Sequence, residues 1–176
     1  MRVRKPGSFL AAAALLTASL AYASGPAPVQ KTMDEKVLHE LNMLPYYGVF
    51  DNITYRVDGD KVTLMGQVWQ PVLKLQTESA IKGIEGVKQL DDQIEVLPLS
   101  NVDDQIRYQT LRAIYAYPAL NRYVLNSHPT IHIIVKNGNV TLVGVVANKM
   151  DRELAYVRAN GIHDVFSVTN ELQVQP

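Results

Sequence analysis

The sequence predicts an α+β fold built from two tandem αββαβ domains, each a three-stranded mixed sheet with two helices. Three observations carry that expectation. Shifted by 78 residues, positions 53–98 lie over positions 131–176 without a gap, and 12 of those 46 pairs are identical. Within each copy the apolar period runs from two, as in strands, to that of a helix, and back to two. The breaks between those runs carry turn and cap chemistry, and most of the identical positions are apolar or glycine, the classes that set a core and its turns.

Ahead of the first copy, Val37, Leu41 and Leu44 fall at i, i+4 and i+7 and predict a helix over 34–44. Ile53, Tyr55 and Val57 then alternate with Thr54 and Arg56, as a half-buried strand does. Asp58-Gly59-Asp60 turns the chain; the second copy uses Lys136-Asn137-Gly138, and Asn-Gly is a strong hairpin signal. The second strands, 62–68 and 140–146, share Val-Thr-Leu-x-Gly-x-Val. A glycine inside a strand marks a bulge or a close approach by another backbone, and the following helix is expected to cross there.

That helix opens at Pro71 in the first copy, where proline is tolerated. In the second, Asn148 and Asp151 have capping-box spacing, and Met150, Leu154 and Val157 fall on one face. Gly83 and Gly161 are expected to end these helices as left-handed caps. The last strands put Leu90, Ile94 and Val96, and Val168, Leu172 and Val174, on one face, and the short crossover makes them parallel to the second strands. The helix ahead of the second copy starts near Ser100 or Asn101, carries Asp103 and Asp104 in its first turn and runs to about Tyr117. The copies differ by about nine extra residues within 119–129. The join around 98–101 is short, so the two domains are expected to touch. The resulting organisation is 1–23, a signal peptide; 24–32, a flexible N-terminal segment; 33–98, domain 1; and 99–176, domain 2.

The signal peptide rests on Arg2, Arg4 and Lys5, an apolar run from Phe9 to Leu20, and Ala21-Tyr22-Ala23, the small-x-small pattern of signal peptidase. The apolar run is too short to span a bilayer comfortably, which favours cleavage after Ala23 over an anchor. Sec-type export to the periplasm is the expectation, with no integral membrane span after cleavage. Zero cysteines exclude disulfides, thiolate metal sites, a cysteine nucleophile and a lipidated cysteine. Without residues 1–23 the chain has 14 basic and 17 acidic residues, net −3, which gives no global attraction to nucleic acid.

The paired motifs Val62-Thr63-Leu64-Met65-Gly66-Gln67-Val68 and Ala80-Ile81-Lys82-Gly83-Ile84-Glu85-Gly86-Val87, with the closing Ile94-Glu95-Val96, resemble the BON family. Val140 to Val146, Asn160 to Val165 and Leu172-Gln173-Val174 repeat the likeness, which covers nearly all of 34–176. The second copy departs from the family's Gly-x-x-Gly-Val at Asp164. The resemblance implies periplasmic or outer-membrane-associated proteins, often with two such domains, with roles in phospholipid binding, envelope integrity and osmotic protection. It supplies no catalytic residues.

No nucleophile elbow, phosphate loop or metal-ligand spacing stands in the sequence, so neither an enzyme nor a cofactor is expected. His39, His128, His132 and His163 read as solvated or structural. A binding surface has better support. Residues 31–98 carry 7 basic and 11 acidic side chains, net −4, whereas 99–176 carry 7 and 6, net +1, so the second domain is the one able to approach an anionic surface. On its first helix, Ile106, Thr110, Ala113 and Tyr117 form one stripe, assigned to the core. Tyr108, Leu111 and Tyr115 form a second, with Arg112 beside it and Arg107 at its other margin. Two kinds of partner fit that second stripe. One is packing within the molecule, against the first domain or against Tyr123, Val124 and Leu125 of the inserted loop. The other is an anionic phospholipid surface, with tyrosines at the headgroups and Arg107 and Arg112 on phosphate, or an envelope protein bound by an adaptor or holdase. Trp69 reads as a lid over its own small core rather than as an exposed recognition residue.

Overall fold

A computed structural model of the chain describes residues 31–124 and 129–175. The signal-peptide segment, most of 24–32, Leu125 and His128 lie outside the described residues. From Lys31 onward the chain is one compact unit. Its elements run α1 (Met33–Asn42), β1 (Asn52–Asp58), β2 (Lys61–Val68), α2 (Pro71–Lys82) and β3 (Gln89–Val96). The second repeat follows as α3 (Asn101–Tyr115), a 3-10 turn at Asn121–Tyr123, β4 (Ile131–Lys136), β5 (Asn139–Val146), α4 (Lys149–Asn160) and β6 (Ser167–Val174).

Each repeat holds a three-stranded sheet, β1-β2-β3 or β4-β5-β6. The hairpin pair is antiparallel and the crossover pair parallel, with Val62 opposite Leu90 and Val140 opposite Val168. The 78-residue shift therefore holds in strand register. Helices α1, α3 and α4 start where side chains satisfy their free amides, whereas α2 opens on Pro71 with no side-chain cap. Thr32 and Glu35 form a full capping box on α1, Ser100 caps α3, and Asn148 accepts from the Asp151 amide at 2.9 Å.

Three local expectations are corrected. The strand glycines are approached by the partner strand, not by the helix: a Cβ on Gly66 (φ +113) would fall on the carbonyl oxygen of Asn52, and one on Gly144 (φ +122) on that of Thr130. Gly83 and Gly161 are not left-handed; their φ values are −75 and −84. The left-handed residues sit three positions later, at Gly86 (φ +105) and Asp164 (φ +66). Aspartate is among the few residues that tolerate that region, which is how the second copy does without the family's glycine there. Finally, the core face of α4 is Asp151, Ala155 and Ala159, whereas Met150 and Val157 are 78% and 62% exposed. The Met150–Leu154–Val157 stripe points away from the sheet, with only Leu154 half-buried.

Candidate functional site

The hydrophobic core of the second repeat is not made by that repeat alone. Its cluster of Ile106, Ile114, Leu120, Ile131, Ile133, Leu142 and Leu172 also contains Phe50, and Val49 and Trp69 pack against it. Phe50 and Val49 come from the loop between α1 and β1, which reaches across and lies along β4. The Ile133 amide donates to the Val49 carbonyl at 2.7 Å, and His132 Nδ1 donates to the Gly48 carbonyl at 3.1 Å. Tyr47 packs on the His132 ring at 5.4 Å. Asp51 holds the loop in shape, its two oxygens accepting from the amides of Trp69 (2.8 Å) and Gly48 (3.0 Å). Burial pushes the Asp51 carboxyl above its ordinary pKa, and those two amides pull it back. An ion pair between Lys136 and Glu95 at 2.5 Å adds a surface contact between the repeats.

This contact decides where the five candidate residues of α3 lie. Tyr108 is 45% exposed and packs edge-on to Phe50 (5.5 Å) and Trp69 (6.2 Å). Trp69 is half-buried and donates Nε1–H to Asp104 at 3.2 Å. It is a lid, but over the second repeat's core rather than its own. Arg107, expected at a surface margin, is fully buried. Its guanidinium donates to Asp104 (2.5 Å) and to the Val135 carbonyl (2.7 Å), with the Trp69 ring 5.8 Å away. Tyr115 is also inside, 6% exposed, with its hydroxyl donating to the Ile131 carbonyl and its pKa raised by burial. Leu111 is half-buried against the same core, and Arg112 is exposed. Arg107 and Tyr115 are therefore corrected from surface to interior, and Tyr117, expected in the core, is corrected to the surface.

The reason is geometric. The buried face of α3 is Asp103, Ile106, Arg107, Thr110, Ile114 and Tyr115, wider than a single stripe because sheet, hairpin turn and neighbouring repeat all press on it. Asp103, placed by sequence only at the helix dipole, accepts from the amides of Asn137 (2.9 Å) and Gly138 (2.8 Å) and so clamps the β4–β5 turn.

What remains at the surface is the outer face of the helical layer. Side by side on one face of the sheet, α3 and α4 are tied by the Arg158 Nε–H to the Ala113 carbonyl (3.0 Å), with the Arg158 guanidinium over the Tyr117 ring at 5.3 Å. This layer exposes Tyr108, Arg112 and Tyr117 together with Met150, Val157, Lys149 and Arg158. Sequence reasoning put Met150, Leu154 and Val157 on one face of this helix but did not count that face as surface, and so missed the α4 contribution. Elsewhere, Arg122 and Tyr123 both engage the Asp151 carboxylate while the Asn121 side chain donates to the Tyr115 carbonyl at 2.9 Å, so the start of the inserted loop bridges α3 and α4. Among the described residues no three His, Cys, Asp or Glu side chains are grouped to hold a metal, and no helix is long and apolar enough to cross a membrane.

A search of the curated proteins finds no match to this sequence. Among solved structures, the chain is similar to the C-terminal domain of CdsD, the structural protein of the type III secretion system of Chlamydia trachomatis, at 13% identity, covering 84% of this chain and 99% of that one with a TM-score of 0.29. A second CdsD structure gives 12% identity, 82% and 92% coverage and a TM-score of 0.28. Superpositions that loose carry no function across. The family models are decisive: the BON domain model matches residues 32–98 and again residues 118–176, and the chain belongs to the BON domain family.

Proposed function

We propose that this chain is an exported, non-catalytic envelope protein whose second repeat associates with anionic phospholipid surfaces through the outer face of α3 and α4. In this reading residues 1–23 direct Sec export, cleavage after Ala23 releases the chain into the periplasm, and the binding supports envelope integrity or osmotic tolerance. The observation that carries it is the pairing of exposed apolar side chains with cations on one helical layer. Met150, Val157, Lys149 and Arg158 are exposed on α4, Tyr108 and Arg112 on α3, and Tyr117 just after it, with the Arg158 guanidinium over the Tyr117 ring. Apolar groups at headgroup depth and arginines on phosphate give weak, reversible, salt-sensitive attachment. The net charge of +1 on residues 99–176, against −4 on residues 31–98, orients the molecule with this repeat toward an anionic surface. Arg107 and Tyr115, being buried, act only as supports of α3.

Co-sedimentation of residues 24–176 with liposomes, with and without anionic lipid, tests this at low and physiological salt. Binding is expected only with anionic lipid and is expected to fall as salt rises. Each basic residue at such a surface contributes about 1 kcal/mol, so Arg112→Glu should cost about 2 kcal/mol, roughly thirtyfold. Met150→Asp/Val157→Asp should abolish attachment without unfolding the chain, since both side chains are already exposed. Attachment indifferent to salt and to Arg112 overturns the lipid reading and leaves the same surface as a contact for an envelope protein.

A further inference from the structure

Each sheet ends on a long edge strand: β3 and β6 span 8 residues apiece and pair with a neighbour on one side. An edge offers a row of backbone amides and carbonyls to any incoming strand. On β3 that row follows from the pairing. The Leu97 amide donates to the Val68 carbonyl at 2.9 Å, so the alternate residues Leu90, Asp92, Ile94 and Val96 turn their backbone groups outward. Ile94 has both of its groups occupied. Its amide donates to Asp92 Oδ1 at 2.9 Å, and its carbonyl accepts from Lys74 Nζ of α2 at 2.6 Å. The same ammonium stands 3.7 Å from the Asp92 carboxylate, whose side chain is 13% exposed. Under the 78-residue shift Asn170 is the counterpart of Asp92, and its Oδ1 accepts from the Leu172 amide at 3.3 Å. Arg152 is the counterpart of Lys74, and there the helix contributes its backbone: Asn170 Nδ2 donates to the Arg152 carbonyl at 3.0 Å. An ion pair in one copy and an amide in the other thus hold the same outward-facing amide.

We propose that Asp92 with Lys74, and Asn170 in the second repeat, are edge locks that keep a second copy of this chain from adding as a strand to β3 or β6. An incoming antiparallel strand exchanges an amide bond and a carbonyl bond with one outward-facing residue at a time. Ile94 stands third of the four outward positions on β3, so taking both of its groups leaves no more than two consecutive positions to pair. A newcomer reaching Ile94 has to displace charge-assisted bonds, which are stronger than the neutral ladder bonds it would form. The lock rests on a local habit of Asp and Asn, whose side chains close on the amide two residues further on. In turns that habit bends the chain; here it closes an edge. The edge of β4 is closed differently, by main chain, with the Ile133 amide on the Val49 carbonyl at 2.7 Å.

Amide exchange and sedimentation of residues 24–176 over a range of protein concentrations test the locks. In the unaltered chain the Ile94 amide is expected to exchange more slowly than the outward amides of Leu90 and Val96. Asp92→Val, which suits a strand but offers no acceptor, should speed Ile94 exchange about tenfold or more. Lys74→Met/Asp92→Val keeps the stem of the lysine and opens both groups. It should bring a concentration-dependent association that the unaltered chain lacks, with exchange at Leu90, Ile94 and Val96 slowing as the concentration rises. Asp92→Asn should behave as the unaltered chain, because Asn170 performs the same closure in the sister strand. Glu78→Val/Lys82→Met removes the same two charges from an exposed ion pair of α2 and should not associate. A Lys74→Met/Asp92→Val chain that keeps the unaltered mass, however much stability it loses, overturns the proposal and leaves both residues as ties between β3 and α2. So does association without slower exchange at Leu90 and Val96, because another surface is then the contact. An Ile94 amide as fast as that of Leu90 in the unaltered chain also overturns it, since the lock is then open in solution.

Discussion

Arg107 is the largest fully buried side chain of α3. A fully buried guanidinium is stable only because Asp104 and the Val135 carbonyl meet it at 2.5 and 2.7 Å. Arg107→Met fills a similar volume but leaves that carbonyl without its donor and Asp104 without its countercharge. Asp104 is 35% exposed and can be rehydrated, so the cost falls below that of a wholly buried pair, at about 2–4 kcal/mol by urea unfolding. A loss under about 1 kcal/mol would show that the pair is not formed in solution. The sequence placed Arg107 at the edge of a surface stripe because a helical wheel treats arginine as solvent-facing. The groups that make its burial affordable, Val135 and Trp69, lie 28 residues ahead and 38 behind, where no periodicity reaches. Tyr115 escaped for the same reason, since its partner is a strand carbonyl at Ile131.

At the scale of elements, strands and turns were legible and helix faces less so. A strand alternates with period two and its glycine is unmistakable, so Val-Thr-Leu-x-Gly-x-Val marks β2 and β5 in the sequence itself. The glycine's reason was only half legible, because a close backbone approach was foreseen but attributed to the wrong element. Since Asn52 in β1 and Thr130 just ahead of β4 supply the obstructing carbonyls, Gly144→Ala must displace Thr130 and hold alanine at φ +122. Both costs fall on backbone, so a loss of about 3 kcal/mol or more is expected, read as the shift in urea midpoint at unchanged slope. Gly161→Ala, at φ −84 and with nothing nearer to the new Cβ than the Val157 carbonyl at 3.7 Å, should cost less than about 1 kcal/mol although it too is a shared glycine. On α4 the wheel picked out the face of Met150, Leu154 and Val157 because they are the larger apolar residues. The sheet lies too close for them, and the small Ala155 and Ala159 face it instead. Burial there follows the distance between elements, which residue type does not report.

For the whole molecule, the fold is two repeats by sequence but one packed unit by contact, because Phe50 of the first repeat completes the core of the second. That asymmetry was the least legible feature. The loop Tyr46-Tyr47-Gly48-Val49-Phe50-Asp51 has no period, and its three aromatics within five residues were the one available signal. Truncating Phe50 removes a buried ring that touches Trp69 and Tyr108 at 5.4 and 5.5 Å. Phe50→Ala should therefore cost the second repeat about 3–5 kcal/mol, the usual range for a buried aromatic. The first repeat keeps its own cluster of Val37, Val62, Leu64, Leu73, Ile81 and Ile94 untouched. Unfolding should then separate into two steps, with amide exchange accelerating across β4 and β5 while β2 and β3 stay protected. If the variant instead unfolds in one step with protection lost evenly, the repeats are coupled through the Lys136–Glu95 and Trp69–Asp104 contacts rather than through Phe50. The outcome bears on function as well. A second repeat that depends on Phe50 to complete its core presents its α3–α4 face only while docked, so the proposed membrane attachment should weaken together with the stability of that contact.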